Sequence, residues 1–202
     1  MGRFINSDSI LGTNGHILGY NLYTYCYNNP VNCVDYFGNK PGDLFTSELA
    51  AAKDFAAYYG TLTAINGTEY GSTIYTVNKT SQVCGLNGKS MTITTVYYSY
   101  SVAAIGTRTP EGHYTVTPSK EPKKTTPAAK IHTHPLGSDS NVFSPDDIWY
   151  ADHLKIGGKN GVYLPIYLAA PNGDILRYKK YDPYPYDIVI YSGPPFSTYC
   201  SP

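Results

Sequence analysis

The chain has 202 residues, with 15 basic and 15 acidic side chains and a formal net charge of zero. That length suffices for one ordinary domain plus a shorter appendage. The charge balance argues against a nucleic-acid binder working by bulk electrostatics, because no basic excess is present to neutralise phosphates. No apolar run approaches the roughly 18 to 20 residues of a membrane span. The polar first residues carry no signal-peptide core, and Asn6 stands where a myristoylation signal needs Ser or Thr. The abrupt Gly2-Arg3-Phe4-Ile5 opening reads as a piece of a longer chain that something else carries.

Tyrosine is abundant, at 22 residues, and it favours pleated, half-buried surfaces, so the chain leans towards β structure. The four cysteines, Cys26, Cys33, Cys84 and Cys200, form no CxxC pair. Zinc-finger and thioredoxin spacings are therefore absent, and both a Cys26–Cys33 pairing and free thiols stay open.

Residues 1–38 are dense in Asn, Gly and Tyr, with short alternations such as Tyr20-Asn21-Leu22-Tyr23-Thr24-Tyr25 that read as strands between tight turns. The turn-rich stretch Gly38-Asn39-Lys40-Pro41-Gly42-Asp43 marks a boundary, giving expected units of 1–42 and 43–202. Three motifs occur in order: Gly2-Arg3-Phe4-Ile5-Asn6-Ser7-Asp8, Tyr20 to Asn32 with its Asn28-Asn29-Pro30 step, and Asp35-Tyr36-Phe37-Gly38. This order resembles the end of the Rhs-associated core, the junction between a large β-rich shell and a variable C-terminal domain. Tyr36 replaces the Pro that many members have after the closing Asp. The resemblance implies that the following residues are a secreted or delivered effector, often a toxin. Its expected partners are the rest of the Rhs shell and a cognate immunity protein; the chemistry itself is not implied.

Residues Ser47 to Tyr59 read as a helix, with Thr46 or Ser47 as cap, alanine-rich turns and Gly60 as terminator. Leu49, Ala52, Phe55 and Ala56 share a face that should pack on a sheet. Strand-like runs follow at Gly71–Val77, Met91–Val102 and Ala128–His132, with a polar Thr/Pro-rich loop from Thr107 to Thr126. Its Lys120 to Lys124 run reads as solvated loop. A short helix is expected from Ser144 to about Leu154. A hairpin should then fold Gly161–Ala169 onto Ile175–Lys179 around Pro171-Asn172-Gly173-Asp174. The sum is an α+β domain with a mixed or antiparallel sheet, a long N-terminal helix and a short helix after the His-x-His strand. The Tyr/Pro-rich tail from Tyr181 to Pro202 reads as an extended arm.

The sharpest chemical signal is Ile131-His132-Thr133-His134-Pro135, followed by Ser144-Pro145-Asp146-Asp147. Residues i and i+2 of a strand share a face, so His132 and His134 project side by side. Asp147 falls in the first turn of a helix capped by Ser144 and opened by Pro145. Two imidazoles, one carboxylate and an open position make a catalytic rather than a structural zinc set. Each part also has a plainer reading: a polar strand pair, and an ordinary helix start whose acids favour the positive end of the dipole.

The string His-x-His, gap, Ser-x-x-Asp resembles the JAMM signature of JAB-type metallohydrolases. The gap here is nine residues, Pro135 to Phe143, a little longer than the usual form. The likeness spans residues 46–180 and is nearest the JAB-like domains found at Rhs C-termini. It implies a cytidine-deaminase-like architecture with Zn2+ held by His132, His134 and Asp147. Glu69 would be the general base and then acid, and Ser144 an oxyanion donor. Glu69 is the choice because Glu48 falls in the first helix and Glu111 and Glu121 in polar loops. The implied reaction is hydrolysis of a peptide, isopeptide or side-chain amide in a protein or peptide substrate. The competing readings are a metal-free JAB-like binding module and a metal-dependent nuclease toxin, against which the neutral charge counts. His16, His113 and His153 read as turn or surface residues, and Cys84 lacks the flanking pattern of a thiol nucleophile.

Overall fold

A computed structural model describes residues 41–84, 90–110, 112–137, 140–158, 161–183 and 188–196. These all fall in one compact unit, Asn39–Phe196. The Rhs-like motifs, Cys26, Cys33, Cys200, His16, Glu111 and the last residues of the tail lie outside the described residues.

Helix α1 spans Glu48–Asn66, and its Ser47 cap accepts a hydrogen bond from the Ala50 amide at 3.1 Å. It runs past Gly60, which the sequence marks as a stop, and ends at Gly67 in the left-handed region (φ 61°). Gly60 is needed inside the helix for a different reason. A Cβ there would lie 2.3 Å from the Phe196 ring, so the glycine admits a close packing partner from the far end of the chain.

The strands are β1 (Tyr70–Cys84), β2 (Ser90–Tyr100), β3 (Ala104–Ile105), β4 (Thr107–Arg108), β5 (Tyr114–Thr115), β6 (Thr126–Thr133), β7 (Lys155–Ile156), β8 (Val162–Tyr163), β9 (Ile166–Ala169), β10 (Asp174–Tyr178) and β11 (Ile188–Ser192). Helix α2, Pro145–His153, lies between β6 and β7. The main sheet has the order β11-β10-β9-β6-β1-β2, with β3 paired to the start of β1. The β6–β9 pair is parallel and the others are antiparallel. An α+β fold with a mixed sheet is the result.

Side-chain parity sorts the core into two layers. One cluster holds α1 residues Ala51, Ala52, Phe55 and Tyr59 against Tyr70, Ile74, Ala129, Ile131 and Tyr167. The other gathers Ala151 of α2 and Phe143, just before that helix, with Ile166, Leu168, Ala170, Leu176 and Tyr178. Neighbouring residues of β9 and β10 go to different clusters, so the two helices cover opposite faces. Strand β9 is buried along its whole length, as a strand covered on both sides must be. Ile131 and Ala129 face α1, so His132, of the opposite parity, faces the α2 side.

Two further departures from the sequence reading shape that side. Strand β1 does not stop at Val77 but continues to Cys84, because Met91–Val96 pairs with it residue for residue. The Thr107–Thr126 stretch is not solely a solvated loop either. Lys120, Lys123 and Lys124 are exposed, but Val116 to Ser119 form a strap across β1. Ser119 donates from its amide to the Gly71 carbonyl at 3.2 Å, and its carbonyl accepts from the buried Thr73 hydroxyl. Lys130 in turn donates to Thr73. A Cβ on Gly71 would meet Val116 at 2.8 Å, so the strap can lie this close only over glycine.

Candidate metal centre

His132 sits on the central strand β6, paired with Gly71 of β1 on one side and Leu168 of β9 on the other. Gly71 offers no side chain, and Leu168 and Phe143 supply apolar walls; the Phe143 ring lies 6.4 Å from that of His132. Pro135 follows His134 just past the strand end. Both imidazoles are over nine-tenths buried, at 7 % and 8 % exposure.

Asp147 arrives from the opposite direction on the first turn of α2. The Ser144 side chain accepts the Asp147 amide at 3.2 Å, while the Asp147 Oδ2 accepts the Ser144 amide at 2.8 Å. This reciprocal capping box locks the carboxylate in place. The Ser144 hydroxyl also donates to Oδ2, at 2.7 Å. Capping and presentation of a ligand thus coexist in one turn. The exposed face of α2 carries Trp149 stacked on His153, away from this chemistry.

The three side chains converge. Asp147 Oδ1 is 3.1 Å from His132 Nε2, and Oδ2 is 3.3 Å from His134 Nε2. The two Nε2 atoms are 3.2 Å apart. His134 Nδ1 lies 3.3 Å from the Ser140 carbonyl. A proton held there leaves the Nε2 lone pair facing Asp147 and His132, as metal-ligating histidines require. One donor atom from each residue falls within a common 4.8 Å span. His132, His134 and Asp147 can therefore hold a metal ion: the imidazoles are buried and the carboxylate partly so, His134 and Asp147 are held from behind, and the donor types suit a divalent cation.

Glu69 is the fourth member. It ends the turn between α1 and β1, is 8 % exposed, and places Oε1 3.9 Å from His134 Nε2. Its position depends on Thr133, the residue between the two histidines, which points to the α1 side. The Thr133 hydroxyl accepts the Tyr70 amide at 3.0 Å and shares a 2.6 Å hydrogen bond with Thr63 of α1. One buried side chain thus ties α1, the start of β1 and the end of β6 together, next to Glu69. Gly106 closes the turn from outside. Its amide donates to the Glu69 carbonyl at 2.8 Å, and a Cβ on it would meet the Glu69 Cβ at 3.0 Å.

The electrostatics follow from four ionisable groups packed away from water. Burial raises the Glu69 carboxyl above its ordinary 4.5; the two histidines work against this, and Asp147 adds to it. Burial opposes charging His132, yet Asp147, through charge and hydrogen bond, and Glu69 outweigh it and raise the imidazole above 6.5. Burial also opposes ionising Asp147, but His132 and His134 override it and hold the carboxyl well below its ordinary value. Two carboxyls of one site are thus pushed in opposite directions, which separates a group that stays ionised from one able to carry a proton.

The chain matches no protein-family model, no curated protein and no solved structure.

All five residues singled out in the sequence, Glu69, His132, His134, Ser144 and Asp147, lie in this one cluster. The other described glutamates lie elsewhere: Glu48 accepts a hydrogen bond from the Tyr167 hydroxyl, and the charge of Glu121 acts on Lys130. Thr133, Gly71 and Gly106 were not singled out. For Thr133 a signal existed, since a small hydroxyl residue between two strand histidines must face the opposite side. For the two glycines none did, because each answers to a backbone that reaches it from far along the chain.

Proposed function

We propose that this domain is a zinc-dependent amidohydrolase of the JAMM type, acting on a peptide, isopeptide or side-chain amide. The observation that carries the proposal is the convergence of His132, His134 and Asp147 within 4.8 Å, with the buried Glu69 carboxyl beside them. Zinc in such a set supplies Lewis acidity and makes a water acidic enough to ionise near neutral pH.

The chain's own residues supply the rest. Glu69, raised by burial, is suited to accept a proton from water and pass it to a leaving amine. Asp147, kept ionised, would hold the cation together with the Nε2 atoms of His132 and His134. Ser144 has a single hydroxyl proton, which it gives to Asp147 in this structure. Its proposed second use, as donor to a developing oxyanion, requires rotation of that hydroxyl. Burial of Glu69 and both imidazoles strengthens each of these interactions.

The order of the Gly2–Asp8, Tyr20–Asn32 and Asp35–Gly38 motifs supports a further proposal. Residues 43–202 would be the effector of an Rhs protein, delivered to a target cell with an immunity protein as its partner. Zero net charge favours a protein substrate over a nucleic acid.

Elemental mass spectrometry of the purified chain tests the metal assignment. We expect about one zinc per chain, lost in the His132→Ala/His134→Ala variant. Glu69→Gln should keep the metal and lose turnover in a screen of peptide and isopeptide libraries. A wild-type chain that takes up no zinc when zinc is supplied would sink the hydrolase reading and leave the binding module. Full turnover by Glu69→Gln would remove Glu69 from the role of base.

A further inference from the structure

The outer part of the β1–β2 hairpin stands apart from both core layers. From Val77 to Cys84 on β1 and from Ser90 to Val96 on β2, the described residues are largely exposed. Strand β6 stops pairing at Thr76, so this part is a two-stranded ribbon without a third strand among the described residues. A two-stranded ribbon on its own is marginal in water. Its register puts Val83 opposite Met91, with Ile93 on the same face, and these are 44 %, 63 % and 41 % exposed.

The backbone identifies which edge is open. Tyr98 exchanges two hydrogen bonds with Phe45, at 2.7 and 2.8 Å, on the side of β2 away from β1. Backbone groups alternate along a strand, so those of Val96, Thr94, Thr92 and Ser90 also point outward. The edge thus already carries an isolated antiparallel bridge at Tyr98. The chain then turns into α1 at Ser47, leaving the outward groups from Val96 to Ser90 unpaired within the described residues.

We propose that this edge pairs with the same edge of a second copy of the chain, antiparallel and about a two-fold axis. Charge selects this occupant. Lys79, on β1, is the only charged residue described in the ribbon, and β2 carries none. Identical copies therefore meet without repulsion, and a strongly charged partner finds nothing to hold. The segment Thr92-Ile93-Thr94-Thr95-Val96 is β-branched and free of Gly and Pro, and it reads suitably against itself about Ile93, with Thr opposite Thr and Ile opposite Ile. It also lacks the lysines and prolines that usually protect a free edge. The seven residues from Ser90 to Val96 span about 23 Å. The resulting contact is at the small end of specific interfaces, so the dimer is weak and concentration-dependent. The metal centre takes no part in it.

Sedimentation equilibrium of the full chain, with reductant present so that the exposed Cys84 cannot cross-link, decides the matter. The mass should rise from 22.2 kDa per particle towards twice that between micromolar and near-millimolar concentration. Thr94→Pro removes one outward amide, which an edge strand tolerates, and should weaken association at least about tenfold. Ile93→Lys, which sets like charges across the axis, should do the same. Both variants should keep the wild-type thermal midpoint and metal content. A single-chain mass throughout overturns the proposal. A dimer that survives both substitutions overturns it as well, by placing the contact elsewhere.

Discussion

Strand β1 is two structures in one. Its first six residues, Tyr70 to Tyr75, are buried and held from every side: β6 and β2 or β3 along the edges, α1 below, the strap above. Its last eight, Val77 to Cys84, are held by β2 alone. The first part carries small or special residues, each with a tertiary reason: Gly71 for the strap, Ser72 bonded to Ser101, Thr73 bonded to Ser119, Ile74 in the core. The second is polar and repetitive, and its residues answer only to the residue across. The same backbone conformation is therefore specified globally at one end and locally at the other.

Substitution should expose that difference directly. Ile74→Ala empties a fully buried site and should cost about 2–5 kcal/mol, seen as a lower midpoint in urea. A cost under about 1 kcal/mol would mean that the two layers repack freely around β1. Gly71→Ala drives a methyl into Val116 and the Pro118 backbone, 2.8 and 3.2 Å from the new Cβ. We expect about 1–3 kcal/mol from overpacking, with faster hydrogen exchange at the Ser119 amide as the strap lifts. Unchanged exchange there would show that the strap is not held through Gly71.

The titrating groups beside β1 give a third way to sharpen the contrast. In metal-free protein, the raised His132 contributes stability that is complete below 6.5 and is lost as pH rises through its folded value. Glu69, also raised, adds a penalty that grows above 4.5. Asp147, lowered, loses its contribution only in acid, below 3.8. The thermal midpoint should thus fall from about pH 5 to about pH 8 without metal. With zinc the trend should reverse, because zinc takes the place of the His132 proton. A metal-free midpoint that climbs over this range would contradict the pairing of His132 with Asp147. The smallest effect belongs to the ribbon. Val83→Ala should stay within about 0.5 kcal/mol, the range of ordinary surface changes, and a larger loss would mean that this end is covered.

What could be read from sequence divides along the same line. The Ser47 and Ser144-Pro145 helix starts, the His132/His134 alternation and the Pro171–Asp174 turn depend on neighbours a few residues away, and all are present in the structure. Gly60 misled because its partner is Phe196, and a glycine seen without that ring reads as a stop. The Lys79–Gln82 stretch misled in the other direction: polar residues look like loop until Thr92 to Thr95 are paired with them. Glu69 was legible by elimination, but the Thr133–Thr63–Tyr70 link that places it was not, since it joins three elements. The five candidate residues come together as anticipated; the activity assigned to them stands as the proposal above.

The spacing of the site along the chain also bears on how it forms. His132, His134 and Asp147 lie within sixteen consecutive residues and need only β6 and the first turn of α2. Glu69 is 63 positions before His132, and reaches it only when β1 docks antiparallel on β6. Closing such a long loop is slow compared with forming a local turn. During folding, a cation trap would exist before its proton acceptor arrives. On the proposed reading, a chain in which β1 has not yet docked on β6 would have the three ligands but no base beside them, so hydrolysis would begin only once that pairing forms.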